Sequence, residues 1–260
     1  MVAGSGSEIC VVIPHAGRLL PPEIHRADLA ENAAVLLFDC TDWYTDLIYD
    51  FRDWLENPTI QFDYSPLCIN LNRHPDQLDF AAPLIFQGQP IYRTGREPSP
   101  ALRRTWIDRL GTPFFQAIAR GPHQFILDAH STRVGMQDED GVKITADIII
   151  NDCTSNLAGD ELRPTAPPGC AEIYATELGR RLPELKIDLN AAYLGTYGYI
   201  GDAFGWHEAE LDSGRAPLLL QETNELLYMD ATGLLLPQAN DLRRIFAEAL
   251  LAAVRKMSLS

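Results

Sequence analysis

No run in this 260-residue chain approaches the ~20 apolar residues that a membrane-spanning helix needs. Cysteine is sparse and unpatterned: Cys10, Cys40, Cys68, Cys153 and Cys170 are odd in number, widely spaced and never in a CxxC pair. That excludes a zinc knuckle or a disulfide framework, and points to small buried hydrophobes in a reducing compartment. Basic residues are also short. Lys and Arg total 21 against 36 Asp and Glu, a formal charge of -15. Such a chain has no general attraction for phosphate backbones or anionic membranes, so neither nucleic acid nor a membrane is expected as a partner. A small anionic ligand is still allowed, because a few arginines can build a local positive pocket on an acidic body. Several catalytic signatures are absent as well: a G-x-S-x-G elbow, a Walker loop, a dinucleotide-binding glycine motif and H-E-x-x-H. There is no internal repeat and no low-complexity tract. The opening MVAGSGSEICVV has neither a basic leader nor a long apolar segment, so the cytoplasm is the expected location.

What is present is enough apolar material, 46% of residues, for a substantial core. One domain spanning 1–260 is expected. Apolar runs at 8–15, 66–73, 123–130, 145–152 and 216–222 read as strands, with shorter ones near 186–190 and 197–200. Helical composition or spacing marks 28–37, a segment from Thr41 or Asp42 to Leu55, 99–120, 170–182 and 237–257. In the last, Leu242, Ile245, Phe246 and Leu250 share one face directed at the core. The span 79–98, rich in Pro and Gly, reads as an irregular surface loop. Strands alternating with helices, several of the strands continuously apolar, predict an α/β three-layer sandwich with a mixed, mostly parallel sheet.

In such sheets ligands bind beyond the carboxyl ends of the strands. Polar residues gather at four predicted strand ends: Pro14-His15, Asn72-Arg73, Asp128-Ala129-His130 and Gln221-Glu222. Two histidines and one carboxylate make a catalytic zinc set when a coordination position stays open for water. His15 and His130 are the natural pair, in preference to His25, His74, His123 and His207. Glu23, Asp39, Asp42 and Asp46 compete for the carboxylate. Asp42 is favoured because a helix starting there would face the crevice beside His15, although Asp is also a common helix cap. Glu222, at the end of a strongly apolar strand, suits a general base whose pKa is raised by burial. Asn72 and Arg73, with Arg133 as a weaker addition, could grip a substrate carboxylate. Asp128, two residues before His130 on the same face, could orient that imidazole. Ser131 reads as a hydrogen-bonding residue rather than a nucleophile.

The stretches 13-IPHAG-17, 41-TDWYTDLIY-49, 70-NLNR-73, 86-FQGQPIYRTG-95, 127-LDAHS-131, 221-QE-222 and 228-YMD-230 together resemble the N-formylglutamate amidohydrolase (formylglutamate deformylase) family. They occur in that family's order and cover most of the chain. The resemblance implies a phosphorylase/hydrolase-like fold related to zinc carboxypeptidases and aspartoacylase-like deacylases. It also implies one Zn2+ held by His15, Asp42 and His130, with Glu222 as base and Asn72 and Arg73 binding a substrate carboxylate. The implied reaction is metal-assisted hydrolysis of a small N-acyl amino acid, with N-formyl-L-glutamate giving L-glutamate and formate as the prototype. A carboxypeptidase-like peptidase and a non-catalytic ligand-binding relative are the alternatives. Three positions depart from the family pattern: Cys40 before Thr-Asp-Trp, Pro113-Phe114-Phe115 where the family has Pro-Tyr-His, and the acidic 137-QDEDG-141. They are expected around the substrate pocket and bear on which substrate is taken.

Overall fold

The structure, a computed structural model, describes residues 9–137, 141–152, 164–192, 199–205 and 215–258. Its strands are β1 (Ile9–Ile13), β2 (Thr59–Gln61), β3 (Ile85–Phe86), β4 (Gln89–Pro90), β5 (Phe125–Thr132), β6 (Ile148–Asn151), β7 (Ile187–Leu189) and β8 (Leu218–Asn224). Its helices are α1 (Ala33–Cys40), α2 (Thr45–Ile48), α3 (Leu78–Ala81), α4 (Pro100–Trp106), α5 (Thr112–Arg120), α6 (Cys170–Arg181), α7 (Tyr199–Phe204) and α8 (Ala239–Met257). Six strands form a sheet in the order β2-β1-β5-β8-β6-β7. The first four run parallel, and β6 pairs antiparallel with β8 and parallel with β7. The sheet is therefore mixed and mostly parallel, as expected.

Helices cover both faces because both faces of the central strands are apolar. Alternate residues point opposite ways along a strand. Ile9, Val11, Ile13, Leu127 and Ala129 join one cluster with Tyr174 of α6 and Phe246 and Leu250 of α8. Cys10, Val12, Ile126 and Leu218 join the other, with Leu36 of α1, Phe114 of α5 and the buried 67–71 segment. Full burial of each Leu or Phe contributes roughly 1.5–3 kcal/mol, which makes this layering the main stabilising feature of the fold. The face of α8 is as expected: Leu242, Phe246 and Leu250 are buried, and Ile245 is partly so.

Local chemistry corrects the sequence reading in several places. Residues 66–69 and Leu71 are buried, but 66–73 form turns rather than a strand. Pro66 has no N–H to give a ladder, while the carbonyl of Ser65 accepts the amides of Cys68 and Ile69, and its hydroxyl accepts that of Leu67. The helix expected to reach Leu55 is only α2. The Asp50 carboxylate takes the backbone N–H and guanidinium of Arg52, closing a turn that competes with helix. Within the expected helix at 28–37 the α-helix starts at Ala33. The span 79–98 is less irregular than its composition suggests, holding the end of α3 and the β3–β4 hairpin. Tyr199 and Ile200, expected at the end of a strand, open α7, and residues 197–198 lie outside the described residues. The 99–120 helix is present as α4 and α5, joined by a π-turn at Ile107–Gly111; Ser99 caps it by accepting the Leu102 amide, and Pro100 occupies the first turn. Cys10, Cys68 and Cys170 are buried thiols, and burial pushes Cys10 and Cys68 up to about 12. No described helix is long and apolar enough to cross a membrane.

Candidate metal centre

Strand β1 ends at Ile13, and Pro14 turns the chain so that His15 stands at the carboxyl end of the sheet. Asp42 reaches the same place from the end of α1. Its backbone N–H donates to the His15 carbonyl at 3.1 Å, while Thr45 donates its hydroxyl to the Asp42 carbonyl at 2.8 Å. Tyr44 (φ 61°) then occupies the left-handed region, uncommon for a non-glycine residue, and its hydroxyl donates to the Gly233 carbonyl at 3.0 Å. Tyr44, not Asp42, is the residue before α2, so the Asp42 carboxylate has no capping duty. His130 and Glu222 are register partners on adjacent parallel strands, on the face that carries Ile126 and Leu218.

Asp42 Oδ2 lies 3.1 Å from His130 Nδ1 and 3.6 Å from His15 Nδ1. The offered atoms of His15, Asp42 and His130 all lie within 4.8 Å of one another, and the two rings meet edge to face at 4.8 Å. The far nitrogens are held from behind. Asn70 Oδ1 is 3.0 Å from His15 Nε2, and Asp128 Oδ1 is 3.2 Å from His130 Nε2. Both imidazoles therefore turn Nδ1 inward. Ser131 donates to the other Asp42 oxygen at 3.3 Å.

The donor set fits a metal ion on two counts. Tetrahedral zinc with bonds of roughly 2.0–2.1 Å separates its ligand atoms by about 3.3 Å, between the two distances above. Charge also calls for a cation: among the described residues no Lys or Arg pairs with Asp42, Asp128 or Glu222. Buried Asp128 has His130 as its charge partner, and Oε2 of Glu222 is buried without a hydrogen-bond partner. Protons report the same imbalance. Burial opposes ionisation of Asp42, but the hydrogen bonds and charges of His130 and His15 outweigh it and hold the carboxyl well below the usual range. Burial disfavours the His130 cation, yet Asp128, Asp42 and Glu222 hold its proton well above the ordinary value. Burial raises Glu222 far above the carboxylate range; His130 opposes this, while Asp42 and Asp128 add to it.

A cavity of about 980 Å³ opens over the cluster, lined by His15, Asp42, His130 and Glu222 and also by Asn72, Arg73 and Arg133. The expected substrate-side residues thus share one cavity with the histidines, although Asn72 and Arg73 lie on a turn rather than at a strand end. Arg133 is engaged, with its guanidinium paired to Glu225 and lying 5.0 Å from the Phe38 ring centroid. The rival carboxylates are drawn elsewhere: Glu23 takes Arg109 and the Trp106 N–H, and Asp46 takes Arg18. Asp39 does line the cavity. Of the other histidines, His74 contacts Asp76, His123 contacts the Ile118 carbonyl, His25 precedes the 3-10 turn at Arg26–Asp28, and His207 lies outside the described residues. Cys40 borders the cavity, whereas Phe115 packs on Tyr199 and Phe204 outside its lining. Within 137–141, Gln137 lines the cavity and 138–140 lie outside the described residues. Sequence reasoning passed over Asn70 and Glu225. The only sign of Asn70 was a polar side chain between residues as apolar as Ile69 and Leu71, a setting that demands a partner.

Fold and site together define a three-layer α/β protein whose parallel strands end on a buried His–Asp–His cluster, with a buried glutamate on the adjoining strand. A family model described as N-formylglutamate amidohydrolase matches residues 7–229, and the chain belongs to that family. It is 30% identical to the N-formylglutamate deformylase of Pseudomonas aeruginosa over 48% of this chain and 52% of that one. The deformylase of Pseudomonas putida is 28% identical over the same shares. The chain thus spans about half the length of the curated relatives it matches. The crystal structure of N-formylglutamate amidohydrolase from Ralstonia eutropha JMP134 shares the fold, with a TM-score of 0.72, 17% identity, and 98% of this chain and 95% of that chain covered. A gene product of Agrobacterium tumefaciens also shares it, with a TM-score of 0.62, 16% identity and coverage of 96% and 93%.

Proposed function

We propose that this chain is a divalent-metal amidohydrolase that cleaves the amide bond of a small N-acyl amino acid. The carrying observation is the convergence of His15 Nδ1, His130 Nδ1 and Asp42 Oδ2, with the unpartnered Oε2 of Glu222 on the same cavity. The donor set favours zinc, with His15, Asp42 and His130 as ligands. A bound zinc ion supplies a water acidified toward neutral pH and a positive charge that polarises the amide carbonyl.

The remaining work falls to the chain itself. Glu222 accepts a proton from water as the oxygen adds to the amide carbon, and delivers it to the nitrogen as the C–N bond breaks. The products are a carboxylic acid and a free amino acid. A base of this kind needs a pKa above the usual carboxylate range, which burial supplies here. Arg73 and the side-chain N–H of Asn72 on the cavity wall hold the substrate carboxylate. Asn70 and Asp128 fix the two imidazoles in orientation.

Metal analysis of gently purified protein, paired with an assay on N-formyl and N-acetyl amino acids beside short peptides, tests this reading. Near one equivalent of divalent metal with release of the amino acid is expected. Metal-free protein, or metal-loaded protein without turnover on any acyl amino acid, would overturn it. Faster turnover of peptides would favour a carboxypeptidase-like activity. The reading places the enzyme in the cytoplasm as a single domain, checked by cell fractionation and limited proteolysis.

A further inference from the structure

Apolar side chains also line the cavity: Phe80 at α3, Leu84, Ile85 and Phe86 at the following hairpin, and Met136 of the segment after β5. Phe80 and Ile85 are each 62% exposed and Met136 45%. Large apolar side chains gathered on the wall of one cavity mark a place where an apolar ligand group is taken out of water. The hairpin that carries Ile85 turns at Gln87 and Gly88 (φ 49° and 75°), the left-handed pair that a two-residue turn requires.

Charge points the same way. A substrate with two carboxylates needs two cationic partners, but among the described residues the arginines lining the cavity are Arg73 and Arg133. Arg133 is already paired with Glu225 inside the same cavity, and the carboxylate of Asp39 lies on the lining too, while that of Asp79 is paired with Arg103. One carboxylate can be held at Arg73; a second would face apolar side chains and the Asp39 carboxylate. At about 980 Å³ the cavity also far exceeds the needs of a formylated glutamate and lies at the upper end of the range that encloses drug-sized ligands.

We infer that the substrate is a monocarboxylate N-acyl amino acid bearing one large apolar group, which packs on Phe80, Ile85 and Met136. This rests on the proposed amidohydrolase reading and departs from the glutamate prototype. The apolar group can belong to the amino-acid side chain or to the acyl group, and the two are separable by probe.

The test uses full-length, zinc-loaded protein with N-formyl-L-phenylalanine, N-phenylacetylglycine and N-formyl-L-glutamate. Binding is measured by calorimetry and turnover by amine release. One of the first two probes is expected to bind at least tenfold more tightly than N-formyl-L-glutamate and, where turned over, to show at least tenfold higher kcat/KM; the better probe identifies the side that carries the apolar group. Equal or stronger binding of N-formyl-L-glutamate overturns the inference, even if the protein is an active deformylase. Tight binding of an apolar probe without turnover supports the inference while the activity reading fails. Ile85→Arg, on an exposed position, is expected to shift the binding ratio at least tenfold toward N-formyl-L-glutamate. Phe80→Ala, also exposed, is expected to weaken the apolar probe severalfold without changing N-formyl-L-glutamate. An unchanged ratio in both variants counts against the inference.

Discussion

The backbone N–H of Asp42 donates to the carbonyl oxygen of His15 at 3.1 Å, so two residues of the candidate centre are joined through their main chains before any ion is bound. The cluster is built on backbone geometry, and its side chains have short reaches. This organises the expectations for substitutions.

Both imidazoles present Nδ1, the nitrogen nearer the backbone. An asparagine places its amide heteroatoms at about that reach, whereas glutamine extends to the position of Nε2. His15→Asn and His130→Asn are expected to keep weakened metal binding, while His15→Gln, His130→Gln and both alanine variants lose it. Metal titration monitored by competition with a chromophoric chelator would rank them. Equal losses for Asn and Gln would argue against Nδ1 ligation.

Glu222→Gln keeps the shape of the residue and removes its titration. It is expected to retain metal and lose at least about 100-fold in kcat, the contribution typical of general acid–base catalysis. Full activity of this variant would take Glu222 out of the mechanism.

The side-chain oxygen of Asn70 meets the rear of His15 and accepts the backbone N–H of Asn72. Asn70→Leu leaves Nε2 without its acceptor and releases the ring, so metal affinity is expected to fall about 10–100-fold. Asn70→Asp, which restores an acceptor, is expected to recover much of that loss. A purely structural role would lower thermal stability without this rescue.

Gly17 shows why the turn after His15 needs glycine. An added Cβ would lie 2.4 Å from the Asp63 carbonyl carbon and 2.4 Å from the Tyr64 oxygen, both main-chain atoms. Gly17→Ala must push β1 away from the 62–64 segment, at a cost of about 2–3 kcal/mol. Denaturant unfolding of metal-stripped protein measures this apart from metal affinity.

Far from the site, the buried carboxylate of Glu177 on α6 joins Arg180, Arg181 at 2.5 Å and Lys256 of α8 at 2.6 Å. Burial pushes its pKa up, but these partners outweigh burial and hold it below its ordinary 4.5. A depressed folded pKa contributes stability above the unfolded value, and that contribution fades as pH falls through the folded one. Glu177→Gln is expected to cost about 1–2 kcal/mol at pH 7, between the values for exposed and buried pairs. The gap from the parent should narrow below about pH 4 in pH-dependent unfolding. A gap that stays constant to pH 3 would rule out this linkage.

The strands were legible because a parallel sheet covered on both faces leaves continuous Val, Ile and Leu runs, as in 9–13 and 125–127. The same signal misled at 66–73, where burial without a strand depends on Ser65 and Pro66 closing a turn. The helix from 41 was overextended because apolar spacing does not register an Asp50–Arg52 clasp. His15, His130 and Glu222 could be found as polar residues at the ends of apolar strands. Asp42 was ambiguous between cap and ligand until Tyr44 was seen at the start of α2. Asn70 and Glu225 stayed hidden because their significance lies in what they face, the back of His15 and the head of Arg133. Pairings across such distances follow from the fold and leave little mark on local sequence.

The reversal of β6 has a consequence for how proteins with this sheet could diverge. β5 ends at the cavity, and β6, antiparallel to β8, starts there. The chain between them, residues 133–147, therefore leaves and rejoins the sheet on the same side, with no crossover to the opposite end. Its length and composition can change without altering any strand connection. Insertions and exchanges in this span offer a lineage a way to acquire new substrates while its strand order and its His–Asp–His cluster are inherited intact.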